Sequence, residues 1–195
     1  MNAGAGRRNE AGMVVPAALH ERVLELGCGQ KKRCAHSLTV DVNPRSRADI
    51  IHDLNCFPYP FEADSFDWVI AEHVLEHLED LIRVVEEVHR ICRPAGRFLV
   101  EVPHFSSNEF FTDPTHRHAF STRSFDYFVP GTSLADFRYS SARFRKLDVG
   151  LSGHSRYLER FINRHAATYE QRFAFLYPAH TIRFDLAAIK EVTEA

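Results

Sequence analysis

The sequence predicts an α/β fold built on a mostly parallel sheet. Three observations carry this. Strand-like apolar segments alternate with helices or crossover loops through the first half of the 195 residues, the pattern of βαβ units. One segment, Phe66–Ala71, is almost continuously apolar, as expected of a strand covered on both faces. The last third reads strand, helix, strand, which suits an antiparallel edge on a parallel sheet.

Taken in order, Glu21–Leu26 is a buried strand running into the tight loop Gly27-Cys28-Gly29. Ser37–Val42 is a second strand, broken by Asn43-Pro44, and Ala48–Ile51 a short third. Phe57–Pro60 holds two prolines and is loop; Phe66–Ala71 is the fourth strand. Leu75, Leu78, Ile82, Val85, His89 and Cys92 then repeat at three- to four-residue spacing, which predicts a helix. Arg90 and Arg93 suit its negative end, and Pro94 and Gly96 stop it. Arg97–Val102 is the fifth strand. Ser106–Ser121 is a long polar loop and Thr122–Phe128 a short helix. Phe144–Leu151 and His180–Ile189 are strands, with helical spacing between them over Tyr157–Phe175.

Composition bounds the function. The length fits one domain, and 45% hydrophobic residues suffice for a core. No apolar run approaches the ~20 residues of a membrane span. Residues 1–13 have no signal-peptide core and read as a disordered tail, which leaves 14–195 as a single domain. Four cysteines without CxxC spacing point to a reducing, cytoplasmic setting. A net charge of −2 argues against a general polyanion binder. It conceals an acidic middle, ten acids against four arginines over Glu62–Glu101, and a basic end, eight bases against three acids over Arg138–Arg172. Twelve histidines are unusually many.

The sharpest local signal is Val23-Leu24-Glu25-Leu26-Gly27-Cys28-Gly29. Glycines at the carboxyl end of a strand let a ligand lie against bare backbone, where α/β sheets bind their ligands. A dinucleotide fingerprint would need a third glycine where Lys32 stands, and residues 30–36 show no apolar stripe for a phosphate-binding helix. Asp41 ends the second strand, where a carboxylate can accept both ribose hydroxyls. Asp53 and Leu54 follow the third, suited to an adenine's amino edge and face.

These residues resemble a known family. Glu-Leu-Gly-Cys-Gly (25–29), Val-Asp-Val (40–42), Asp-Leu (53–54), the run 66–78 and Arg-Pro-Ala-Gly-Arg-Phe (93–98) look like class I S-adenosylmethionine-dependent methyltransferases of the methyltransferase-11 type, most strongly over about residues 20–105. The resemblance implies a Rossmann-like, doubly wound, seven-stranded sheet of order 3-2-1-4-5-7-6 with an antiparallel last strand. It implies a cofactor-binding half, 14–105, and an acceptor-side half, 106–195. Gly27, Cys28 and Gly29 would lie beside the methionyl part of S-adenosylmethionine, with Glu25 orienting the loop. Asp41 would hold the ribose, with Val42 beside it among the cofactor-binding residues; Asp53 and Leu54 would hold the adenine, and Glu72 would lie near the sulfonium end. One departure stands out: the short stretch from Gly27 to Asp41 leaves the first crossover helix truncated or absent.

Methyl transfer needs alignment and, for oxygen or nitrogen acceptors, removal of a proton. His73, His104 and His116 are the candidate bases near the strand ends. A competing use of His104, Asp113, His116 and His118 is metal ligation, but their spacing matches no specific zinc motif, and no metal is assigned. The expected acceptor is a small molecule. A catalytically silent binding or partner subunit is the alternative. A nucleic-acid methyltransferase is a weaker one, because no base-amine motif of the Asn/Asp-Pro-Pro-Tyr/Phe kind is present.

Overall fold

The computed structural model describes residues 7–8, 14–16 and 20–190. Seven strands form one sheet: β1 (Val23–Leu26), β2 (Leu38–Asp41), β3 (Ile50–Ile51), β4 (Phe66–Glu72), β5 (Cys92–Pro103), β6 (Phe144–Ser152) and β7 (Thr181–Ala188). Their order is β3-β2-β1-β4-β5-β7-β6. The first five run parallel, and β7 is antiparallel to both its neighbours. This is the sheet the resemblance implies. Within the stretch read as a tail, Arg7–Arg8 pairs antiparallel with Val14–Val15; residues 1–6 and 9–13 lie outside the described residues.

Alternation along each strand divides the apolar residues between two faces. Leu24, Leu26, Val69, Ala71, Phe98, Val100, Ile182 and Phe184 belong to the large core. Val23, Trp68, Ile70 and Leu99 form a small second cluster, joined by Cys34. The helix α1 (Leu81–Ile91) buries Val84, Val85, Val88 and Ile91 in the large core. So do α3 (Arg156–Arg164), through Ile162, and α4 (Ala166–Arg172), through Tyr169. On the second face the Arg97 guanidinium lies 4.9 Å from the Trp68 ring centroid and pairs with Asp185.

Several boundaries differ from the sequence reading; of the short helix expected over Thr122–Phe128, only Asp126–Phe128 forms, as a 3₁₀ turn. The helix predicted from Leu75 is split: Leu75–His77 is a 3₁₀ turn, and α1 begins only at Leu81. Asp80 interrupts it, because its side chain accepts the amide of Arg83 as an N-cap. Cys92 belongs to β5 rather than to the helix. The long polar loop contains a five-residue helix, α2 (Asn108–Thr112), capped by Ser107.

No residue between β1 and β2 is helical. The expected loss of the first crossover helix is complete.

Candidate active site

Glu25 explains how a chain without that helix still closes β1 onto β2. Its side chain is buried, 3% exposed, and points into the turn after the glycines. Oε2 accepts the Arg33 amide, and Oε1 accepts both the Cys34 amide and the Ser37 hydroxyl, all at 2.7–2.8 Å. One carboxylate thus replaces a helix as the organiser of the crossover. The glycine loop is fixed from the other side, where the amides of Gly27 and Cys28 both donate to the Val40 carbonyl. Gly27 has φ +65°, and a Cβ there would stand 2.6 Å from Val74 Cγ2. Gly29 has φ +55° with nothing within 4 Å of the equivalent position, so its surface is open to a ligand.

Asp41 sits beside this open surface. Its Oδ2 accepts the Gly29 amide and its Oδ1 the Asn43 amide, both at 2.8 Å. A carboxylate has about four acceptor positions, so room remains for two hydroxyls. Asp53, exposed, is shaped into a turn by Asn55, while Leu54 is buried. Val42 is 61% exposed, since no crossover helix covers the strand end. The hollow between the glycine loop and β4 is lined by Glu25, Gly27, Cys28, Arg33, Ile70 and Glu72 among others, and measures about 100 Å³. Its mouth is crossed by an ion pair between Arg33 and Glu72.

Charge concentrates at the carboxyl ends of β4 and β5. Glu72 is partly buried and its Oε2 has no hydrogen-bond partner. Burial pushes its carboxyl above the usual range, partly offset by the Arg33 guanidinium. His73 adopts a left-handed backbone, φ +51°, and its amide donates to the Glu101 carbonyl. Its Nδ1 lies 3.4 Å from Glu76 Oε1, and its Nε2 4.0 Å from Glu101 Oε1. Glu76, followed by Glu101 and Glu72, raises the His73 pKa against the opposing pull of burial. Arg183 from β7 neutralises Glu101, with Nε 2.6 Å from Oε2.

The three candidate histidines thus meet different fates. His73 is held toward its charged form, which disfavours it as a base. His104 is fully buried: Nδ1 meets Ser106 Oγ at 2.8 Å and Nε2 meets Glu170 Oε1 at 3.3 Å. Glu170 also accepts from the Thr122 amide and hydroxyl. His104 therefore ties the end of β5 to α4 and to the loop at Thr122, with both ring nitrogens engaged. His116 keeps one nitrogen free. Its Nδ1 stands 3.0 Å from the Phe110 carbonyl, so Nδ1 carries the proton and Nε2 the lone pair. The set His104, Asp113, His116 and His118 does not converge. His118 Nε2 instead bonds the Leu78 carbonyl, and Asp113 accepts from Thr115. Among the described residues, the groups able to surround a metal are Glu76-His77-His116 and Glu72-His73-Glu101. His77 was already a candidate acid/base group in the sequence, one turn after His73, whereas Glu76 and Glu101 join these groups only in the fold. The visible signal was the spacing of Glu72, His73, Glu76 and His77 around one turn after a strand end.

Residues 24–100 match the family model described as "Methyltransferase domain". The chain has the fold of class I methyltransferases. A structure of an S-adenosylmethionine-dependent methyltransferase from Archaeoglobus fulgidus superposes with a TM-score of 0.59 at 17% identity, covering 86% of each chain. Phosphoethanolamine N-methyltransferase 2 of Haemonchus contortus, solved with S-adenosyl-L-methionine, gives 0.54 at 15% identity, over 90% of this chain and 50% of the other. A 55-residue stretch is 34% identical to the demethylmenaquinone methyltransferase of Lysinibacillus sphaericus strain C3-41. That stretch is 28% of this chain and 23% of the relative's length. Among the described residues, no helix of this methyltransferase fold is long and apolar enough to cross a membrane.

Proposed function

We propose that the chain transfers a methyl group from S-adenosylmethionine to a small-molecule acceptor by in-line displacement. The observation that carries this reading is the row of strand ends: an open glycine surface after β1, the Asp41 carboxylate fixed against it after β2, and Glu72 across the gap after β4. When bound, the cofactor supplies an electrophilic methyl on a sulfonium. Asp41 holds the ribose hydroxyls with its unused lone pairs, and Asp53 with Leu54 receives the adenine. Arg33 turns from Glu72 to the methionine carboxylate, which opens the small hollow. Glu72 is then left facing positive charge at the amino-acid end. The match of residues 24–100 to the family and the cofactor named for the Haemonchus contortus structure support the same reading. The residues after Pro103 supply the acceptor side.

Isothermal titration with S-adenosylmethionine and its demethylated product tests this. Binding is expected, and Asp41→Ala should weaken it at least tenfold, about 1.4 kcal/mol. No binding at millimolar ligand, or an unchanged affinity in Asp41→Ala, overturns it. The Arg33–Glu72 bridge across the hollow favours one second reading, a binding subunit without turnover. Cofactor binding with no methylated product across a broad acceptor panel would select that reading.

A further inference from the structure

Glu76 is a buried acid without an adequate partner. It is 0% exposed, and neither carboxylate oxygen accepts a hydrogen bond. An ionised carboxylate in that position costs several kcal/mol unless a cation compensates it. His73 stands 3.4 Å from Oε1, outside hydrogen-bonding geometry, and is itself shared with Glu101. On the other side lie two imidazoles. One ring nitrogen of His77, one of His116 and a Glu76 oxygen lie within 4.8 Å of one another.

The surroundings prepare both rings as ligands. Thr115 Oγ1 donates to Asp113 Oδ1 at 2.7 Å, so it accepts from His77 Nδ1 at 2.8 Å. The Phe110 carbonyl accepts from His116 Nδ1. Both rings are thereby fixed as Nδ1–H tautomers with the Nε2 lone pair uncommitted. Orienting a ring through its other nitrogen, by a carbonyl or by a hydroxyl–carboxylate relay, is how metal-binding histidines are held. The backbone is fixed as well, since the amides of Arg117 and His118 both donate to the Glu76 carbonyl and His118 Nε2 bonds the Leu78 carbonyl. The second acidic group, Glu72-His73-Glu101, is already neutralised by Arg33 and Arg183 and needs no ion.

We propose that Glu76, His77 and His116 bind one divalent first-row transition ion, with Zn²⁺ the best match to two imidazoles and one carboxylate. Ligands ~2.0–2.2 Å from a tetrahedral ion stand about 3.4 Å apart, so the three donors close by small side-chain rotations. Three protein ligands leave an open position, which takes water or an oxygen, nitrogen or sulfur donor of a substrate. The site lies one turn beyond Glu72, on the acceptor side of the strand ends, yet it does not depend on the methyl-transfer reading.

The test is metal uptake by the full chain after treatment with a chelator. Titration with Zn²⁺ should show one site per chain, weakened at least tenfold by Glu76→Gln and by His116→Ala. Glu76→Gln keeps the side-chain shape, and a melt of the metal-free variant checks that the loss of affinity is read on a folded chain. Cys34 Sγ lies 3.2 Å from His36 Nδ1 and is the rival trap for zinc. His36→Ala should therefore leave the affinity unchanged, and the Co²⁺ form should lack the near-ultraviolet band of a thiolate ligand. No stoichiometric uptake overturns the proposal. So does an affinity indifferent to Glu76→Gln and His116→Ala, or lost in His36→Ala.

Discussion

At the scale of single residues, two positions hold the site in a backbone conformation that few side chains accept. Gly27 combines φ +65° with a Cβ position 2.6 Å from Val74. Gly27→Ala should therefore lose about 1–2 kcal/mol from the left-handed backbone alone, with more from the displaced Val74. Urea denaturation would measure it, and a midpoint equal to the parent's would refute the crowding. His73, also left-handed, makes a prediction about pH. Its pKa is raised in the folded chain, chiefly by the Glu76 carboxylate 3.4 Å away, from an ordinary value of 6.5. A group whose pKa rises on folding stabilises fully below its unfolded value and loses that contribution as pH climbs through the folded one. His73→Asn tolerates the same backbone and removes the charge. The stability gap between parent and variant should be widest below about pH 6.5 and close toward alkaline pH. A gap independent of pH would show that the imidazolium contributes nothing.

At the scale of elements, the crossover from β1 to β2 is where the chain departs most from an ordinary α/β unit. Three hydrogen bonds to Glu25 hold a turn in place of a helix. Glu25→Gln leaves the size unchanged but replaces acceptor oxygen with donor nitrogen on one side. It should destabilise by about 2–3 kcal/mol and weaken cofactor binding in parallel. Thermal melts and titration on the same variant would separate a purely local effect, in which only one of the two moves. The missing helix was legible, because the spacing from Gly27 to Asp41 left no room for it. The strands were legible too, since β4 and β5 carry apolar runs, β1 runs into Gly27 and β2 ends at Asp41. The split of the helix at Asp80 was harder to read. The apolar spacing from Leu75 through Leu78 to Ile82 continues across the break, and the cap that makes it is a single side-chain bond.

At the scale of the whole molecule, the sheet order gathers the cofactor candidates named from the sequence at or near the carboxyl ends of adjacent strands. The acceptor side resisted such reading. Glu76, His77 and His116 meet only because the 3₁₀ turn after β4 is bonded to a loop some 40 residues later, and no local pattern encodes that contact. The same architecture leaves one flank open. With no helix between β1 and β2, Val42 is 61% exposed and Ile51 52% exposed where an adenine would rest. Ribose and amino-acid contacts must then dominate cofactor affinity, with little enclosure of the base. Analogues of the demethylated cofactor with one alkyl group on the adenine amino nitrogen, which keep one N–H for Asp53, should bind within about threefold of the parent ligand, less than 0.7 kcal/mol. Val42→Trp should tighten binding, because an aromatic face restores a wall against which the base can stack. A large loss with the substituted analogue, or no gain from the tryptophan, would mean that the adenine lies elsewhere than over the end of β2.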